Sequence, residues 1–100
     1  MARDNMLNGK RRNAMEITIS ILEESRNGIN KTRLVYRTNL NFLLIQRYID
    51  FLQQKGLLEV VHSPHQVYRT TQKGNELLQE FAKIKELLGV ADLSADGVSG

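Results

Sequence analysis

The sequence predicts an α+β fold in which three helices come first, a β-hairpin follows, and a fourth helix completes the order. Apolar residues recur at helical spacing in residues 14–22, 42–52 and 77–88. Two runs rich in β-branched residues, 57–61 and 66–70, are separated by a short polar segment and predict the hairpin. A chain of 100 residues without cysteine has the size of one domain with one core and no disulfide.

The first helix is predicted to begin after Asn13, because Asn13 and Glu16 have the spacing of a capping box. Gly28 is expected to end the helix region by supplying left-handed backbone geometry. Ile29 is expected to form a one-residue strand. The apolar face of this helix is predicted to hold four residues with two more at its edges: Ala14, Ile17, Ile21 and Leu22, flanked by Met15 and Ile19.

A short second helix is predicted from Lys31 to about Arg37, with Leu34 and Val35 facing inward. Its outward residues are predicted to be Arg33, Tyr36 and Arg37. The polar turn at residues 38–41 follows it. Tyr36 is interpreted as a packing group, because it lies beside an apolar face.

The third helix is predicted to begin after Asn41, a favourable N-cap residue, and to run to Lys55. Tyr48 is interpreted as a packing group like its neighbours. The predicted inward arc is broad and consists of Phe42, Leu44, Ile45, Tyr48, Ile49, Phe51 and Leu52. The predicted outward arc consists of Leu43, Gln46, Arg47, Asp50, Gln53 and Gln54.

After the hairpin, whose tip is expected at residues 62–66, Thr70 or Thr71 is predicted to cap a fourth helix. This helix should run from about Gln72 to Leu88, with Gly89 near its end. Its apolar stripe extends further than a small core can reach, which predicts a homodimer. The residues assigned to the subunit interface are Leu78, Phe81, Ile84, Lys85 and Leu88.

The order helix, helix, helix, hairpin, helix is that of a winged helix-turn-helix. We therefore expect a flexible basic arm at residues 1–12 and the winged helix-turn-helix domain at residues 13–71. A dimerisation helix is expected at residues 72–90 and a disordered tail at residues 91–100.

The charge pattern predicts a partner for this fold. The net charge is only +3, but residues 26–49 hold five cations and no acidic residue. An exposed side that is purely cationic is typical of surfaces that contact nucleic-acid phosphates. The third helix would enter the major groove of double-stranded DNA, while the second helix and the hairpin tip contact the backbone. Base contacts are expected from Asn41, Leu43, Gln46 and Arg47, and phosphate contacts from Lys10, Arg11, Arg12, Lys31, Arg33, Arg37, His62 and His65.

The run GINKTRLVYRTNLNFLLIQRYIDFLQQKGLLEV, continued by YRTTQKGNELLQEF, resembles the small archaeal winged-helix DNA-binding proteins. Some of these are chromatin-associated, and others are regarded as transcription regulators. The resemblance covers residues from about Arg12 to Leu88. Its narrower pieces, Lys31-Thr32 and the turn that begins at Asn39, add Thr32 and Asn39 to the expected DNA-binding residues. The family is similar in joining two subunits through the fourth helix.

Other functions have little support in the sequence. His62 and His65 lack the thiolate or carboxylate partners of a zinc site, so we expect no metal and no cofactor. No phosphate-binding loop or nucleophile–histidine pattern indicates an enzyme. We expect no small-molecule ligand, no membrane segment and a cytoplasmic, nucleoid-associated protein. The alternative is a winged helix that contacts an acidic protein partner and binds no DNA.

Overall fold

The computed structural model describes residues 12–62 and 64–89. The predicted element order is confirmed. The helices are α1 (Ala14–Glu24), α2 (Lys31–Thr38), α3 (Phe42–Gln54) and α4 (Gln72–Leu88), and the strands are β1 (Leu58–Val61) and β2 (Val67–Thr70).

Four N-cap residues fix where the helices begin. Asn13 and Glu16 form the predicted capping box of α1. The side chains of Asn30 and Asn41 accept the backbone N–H groups of Arg33 and Leu44, and Thr71 does the same for the first turn of α4. Each cap satisfies a backbone donor that has no partner within its helix, so the local sequence sets the four starting points.

The hairpin is a two-stranded antiparallel sheet with Leu58 paired to Thr70 and Val61 paired to Val67. The predicted single-residue strand is confirmed, since Ile29 forms an isolated bridge to Tyr68 with N···O distances of 2.9 and 2.8 Å. This bridge joins the segment between α1 and α2 to the hairpin.

The core lies where α1, α2 and α3 meet, and α4 and the hairpin close it from the side. Its fully buried apolar side chains are Ile21, Leu22, Leu34, Ile45, Ile49 and Leu52. Full burial of a side chain of this size contributes about 1.5–3 kcal/mol to folding. This interior holds α2 and α3 in a fixed relation to each other.

The start of α4 is attached to the end of α3. Thr71 donates its hydroxyl to the Gly56 carbonyl at 2.7 Å, and the Lys73 ammonium group donates to the Lys55 carbonyl at 2.8 Å. The backbones are so close that a methyl group on Gly74 would press against the Leu57 carbonyl oxygen. These contacts hold the first turn of α4 against the end of α3 and the start of the hairpin.

Some predicted burial is wrong. In α1, Ala14 and Met15 are exposed at the start of the helix. Ile19, predicted at the edge of the apolar face, is buried because α1 packs against both α2 and α4. In α3, Phe42 is 53% exposed and Phe51 is 48% exposed, since they lie at the edges of the arc that faces the core.

Within residues 12–62 and 64–89, no helix combines the length and the apolar character that crossing a membrane requires.

Candidate nucleic-acid interface

The outer face of α3, which we define as Leu43, Gln46, Arg47 and Asp50, points away from the core as predicted. Leu43 is 69% exposed, and Arg47 and Asp50 are also exposed. Asn41, predicted to contact bases, uses its side-chain oxygen to accept the Leu44 N–H at 2.7 Å. Its amide NH₂ group keeps its donors for another partner.

Gln46 lies in a chain of hydrogen bonds that connects α2 to α3. The Lys31 ammonium group donates to Gln46 Oε1. Gln46 Nε2 donates in turn to Asp50 Oδ1 at 2.8 Å. Asp50 was predicted to face outward, but its bond to Gln46 was not. The sequence allows this bond to be predicted, because a glutamine and an aspartate four residues apart are neighbours on a helix surface.

Arg33 and Arg37 lie on the other flank of α2, away from Gln46. Arg37 Nε is 3.1 Å from Glu24 Oε1 at the end of α1. A cleft of about 320 Å³ beside this ion pair is lined by both arginines together with Asn30 and Val67. The cations of α2 are therefore divided, with Lys31 directed towards α3 and the two arginines directed towards α1 and the start of β2.

The prediction of an exposed side without acidic groups is wrong. Glu24 precedes the basic stretch in sequence and Asp50 follows it, and folding brings both carboxylates into contact with its residues. The ion pair of Arg37 is partly exposed, and such pairs contribute about 0–1 kcal/mol, so a phosphate can compete for Arg37.

Arg12 is the one residue of the predicted arm that the structure describes, since Lys10 and Arg11 lie outside the described residues. Its guanidinium group donates to the Thr38 carbonyl oxygen at the end of α2. A cation at a helix C-terminus is favoured by the helix dipole. The neighbouring Asn39 has left-handed backbone geometry, with φ 59° and ψ 39°, and it ends α2.

Tyr36 faces outward as predicted, and it is 86% exposed. Its interpretation as a packing group is therefore wrong, whereas Tyr48 is half-buried and packs against the core. Leu34 and Thr38 face the core and are buried, which turns Tyr36 to the opposite side of α2. The helical projection of α2 contained this signal. Thr32 is exposed on the same helix.

The described part of the hairpin tip includes His62 and His65, and both are exposed. Arg69 on β2 is paired with Glu59 on β1 at 2.9 Å. Across the described residues, no cluster of three or more His, Cys, Asp or Glu side chains has the arrangement of a metal site. The hairpin therefore exposes two imidazole side chains at its tip and one ion pair on its strands.

The residues assigned to a subunit interface fall into two groups. Leu78 is only 5% exposed and belongs to the core of its own chain, so its side chain is not free to contact a partner. Phe81 is half-buried, and the Lys85 ammonium group lies 5.5 Å from the centre of its ring. Ile84 and Leu88 are 48% and 65% exposed. The exposed apolar surface of α4 is thus confined to its second half.

Comparison with known proteins places this architecture in a family. The family model described as winged helix-turn-helix matches residues 11–89. No curated protein sequence matches the chain.

Solved structures are also similar to the chain. Sso10a-2, a DNA-binding protein from Sulfolobus solfataricus, is 33% identical with a TM-score of 0.65, and the match covers 77% of this chain and 85% of Sso10a-2. A MarR family protein from Bacillus stearothermophilus is 16% identical with a TM-score of 0.63, over 92% of this chain and 68% of that protein.

BpsR of Bordetella bronchiseptica, whose DNA binding is regulated by 6-hydroxynicotinic acid, is 18% identical with a TM-score of 0.62. The match covers 80% of this chain but only 60% of BpsR. At this identity the likeness concerns the fold alone. The family match and the identity to Sso10a-2 together show that the chain belongs to the winged helix-turn-helix family.

Proposed function

We propose that the protein binds double-stranded DNA as a homodimer and acts as a transcriptional regulator or a chromatin-associated architectural protein. In this proposal α3 enters the major groove, while α2 and the hairpin tip contact the backbone. The observation that carries the proposal is the outer face of α3, where Leu43 and Arg47 are exposed on a helix that the core holds rigidly.

The dimensions of α3 support insertion into the groove. Thirteen residues at 1.5 Å per residue give a rod about 20 Å long. A B-DNA major groove is about 12 Å wide and admits one α-helix. The guanidinium group of Arg47 is suited to a guanine edge, and the methyl groups of Leu43 are suited to a thymine methyl.

The cations around α3 support the phosphate contacts. Lys31 extends from the start of α2 beside Gln46, and Arg33 and Arg37 lie on the far flank of the same helix. These side chains would contact phosphates on either side of α2, with Thr32 and Tyr36 between them as hydroxyl donors. His62 and His65, which are exposed at the hairpin tip, would add contacts to the flanking backbone.

The similarity to Sso10a-2 also supports DNA as the partner. That protein is described as DNA-binding, and the match to it is above 30% identity over most of both chains. We extend DNA binding to this chain because the outer face of α3 carries side chains that can contact bases and phosphates.

Dimerisation is proposed from the second half of α4. Ile84 and Leu88 are 48% and 65% exposed, although both side chains are apolar. Pairing with α4 of a second chain would remove this apolar surface from water, at about 25 cal/mol per Å². The proposed interface consists of Phe81, Ile84, Lys85 and Leu88. Such a dimer would present two copies of α3 to one duplex.

The substitution Arg47→Ala tests the proposed DNA contact. We expect it to weaken duplex binding about tenfold or more, because a guanine or phosphate contact is lost. Fluorescence anisotropy with a labelled duplex measures the affinity. Lys83→Ala is the matched control, since it removes one exposed cation from α4, leaves α3 unchanged and should change the affinity little.

If Arg47→Ala and Lys83→Ala weakened binding equally, the outer face of α3 would not be the contact surface. If the folded wild-type protein failed to bind any duplex at low salt, the proposal would be excluded. A winged helix that contacts an acidic protein partner would then be the better account.

A further inference from the structure

We infer that Asp50 is a positioning residue for base recognition, because it fixes the orientation of the Gln46 side-chain amide on the outer face of α3. This inference rests on the proposed function. It concerns which base edge the helix selects, and not whether the helix binds DNA.

The hydrogen-bond partners of Gln46 define its amide orientation without ambiguity. An ammonium group only donates and an ionised carboxylate only accepts. Lys31 therefore requires Oε1 on the side of α2, and Asp50 requires Nε2 on the side of the next turn of α3. Turning the amide over would place a donor against the ammonium group and an acceptor against the carboxylate, which would break both bonds.

The same contacts leave a defined set of groups for a ligand. An amide NH₂ has two donors and a carbonyl oxygen has two lone pairs. Asp50 uses one donor and Lys31 uses one lone pair, so one donor and one acceptor of Gln46 remain. Adenine presents a matching acceptor, N7, and donor, N6–H, in the major groove. Because the amide orientation is fixed, adenine fits in one sense along the groove only.

Of the two hydrogen-bond partners of Gln46, Asp50 is the one that still holds the Gln46 amide when DNA is bound. Lys31 is long, flexible and only half-buried, and a nearby phosphate competes for its ammonium group. Asp50 is on the same helix as Gln46, one turn away, and its carboxylate is repelled by phosphates. The Gln46–Asp50 bond therefore persists in the complex and continues to hold the amide.

An acidic residue on a face that approaches a polyanion also has an electrostatic cost. Removing its charge should strengthen binding to every duplex, whatever its sequence. The inference requires an additional effect that is confined to one base position. Two substitutions separate the effects: Asp50→Asn removes the charge but keeps an oxygen that can accept from Nε2, whereas Asp50→Ala removes both.

The test is selection from a library of random duplexes at one fixed salt concentration, with the wild-type full chain, three single variants and one double variant. The wild type and Gln46→Ala first identify the base position that Gln46 reads. We expect Gln46→Ala to lower the preference at that position about tenfold. Asp50→Ala should lower the preference at the same position severalfold, and Asp50→Asn should largely retain it. Averaged over the library, both Asp50 variants should bind duplexes more tightly than the wild type does, and by the same factor.

In the double variant Gln46→Ala, Asp50→Ala the preference should fall no further than in Gln46→Ala alone, because Asp50 acts through Gln46. Several outcomes would overturn the inference. The first is an Asp50→Ala variant that keeps the wild-type base preference. The second is an Asp50→Ala variant that loses base preference at a position other than the one that Gln46 reads. The third is a wild-type protein without any base preference. All three leave duplex binding itself intact, whereas absence of binding would refute the proposed function as well.

Discussion

Two buried hydroxyl groups lie at the junction of α1 and β2. One of them has a hydrogen-bond partner and the other has none among the described residues. Thr70 Oγ1 donates to the Leu22 carbonyl oxygen at 2.6 Å. Ser25 Oγ is fully buried and has no hydrogen-bond partner among the described residues. The backbone of the same two residues is joined by the bond from Thr70 N to Ser25 O, at 3.0 Å.

The same chemical deletion should therefore have opposite effects at the two positions. Ser25→Ala removes a buried polar group that has no partner and should raise the free energy of unfolding by up to about 1 kcal/mol. Thr70→Val leaves the Leu22 carbonyl without its partner and should lower the free energy of unfolding by about 1–3 kcal/mol. Urea denaturation at one protein concentration measures both changes. A destabilised Ser25→Ala variant would show that its hydroxyl group has a partner in solution.

At the residue level, the sequence predicts which kinds of side chain a helix face carries better than it predicts how exposed each side chain is. Arg47 and Leu43 face outward as their positions on α3 predict. The helical projection of α3 assigns Phe51 to the inward arc, yet it is half-exposed, with the Lys55 ammonium group 5.6 Å from its ring centre. The contact of Arg37 with Glu24 joins residues thirteen positions apart. Such contacts depend on the crossing of two helices, which periodicity alone does not give.

At the level of the elements, the turn between α2 and α3 depends on one residue with positive φ. Asn39 is the only non-glycine residue with positive φ in the described part of the chain. Its backbone N–H donates to the Val35 carbonyl oxygen and so ends α2. This geometry sets the direction in which α3 leaves the turn, and therefore the position of its outer face.

We predict that Asn39→Ala destabilises the protein by about 1 kcal/mol, because alanine is strained in left-handed geometry, whereas Asn39→Gly keeps the stability nearly unchanged. Chemical denaturation of the two variants provides the comparison. Equal stability of the two variants would contradict a conformational role for this position. Asn39→Gly also isolates the side chain: weaker duplex binding at unchanged stability would indicate a DNA contact by the amide group.

The element boundaries were largely predictable because they depend on local chemistry. Asn13, Asn41 and Thr71 are N-cap residues, and their capping bonds reach only three residues along the chain. The one-residue strand at Ile29 was also predictable in position. The bond of Lys31 to Gln46 was not, since it depends on how closely α2 packs against α3.

At the level of the whole molecule, α4 carries the proposed contact between two copies of the chain. Its start is bonded to the end of α3, and its second half exposes apolar side chains. A helix that is anchored at one end and exposed at the other is suited to pairing with a copy of itself.

We predict that Ile84→Glu converts the dimer to a monomer at micromolar concentration, because it introduces a charge into the proposed apolar interface. Light scattering measures the mass. Gln79→Glu is the control, since it adds the same charge on the opposite side of α4, and it should leave the dimer intact. A wild type with the mass of one chain would exclude the dimer, and dissociation by both variants would indicate a non-specific effect of charge.

Loss of the proposed dimer should also weaken DNA binding. A monomeric variant would present one copy of α3 instead of two and should bind long duplexes more weakly than the dimer, because the second contact is no longer intramolecular.

The salt dependence of duplex binding by the wild-type protein tests the central claim most directly. If Lys31, Arg33, Arg37 and Arg47 meet phosphates and base edges together, several counterions are released on binding. A plot of the logarithm of the association constant against the logarithm of salt concentration should then be linear, with a slope of about −3 or steeper at roughly 0.9 per phosphate contact. A slope near zero, or no binding to duplex DNA at low salt, would contradict the account.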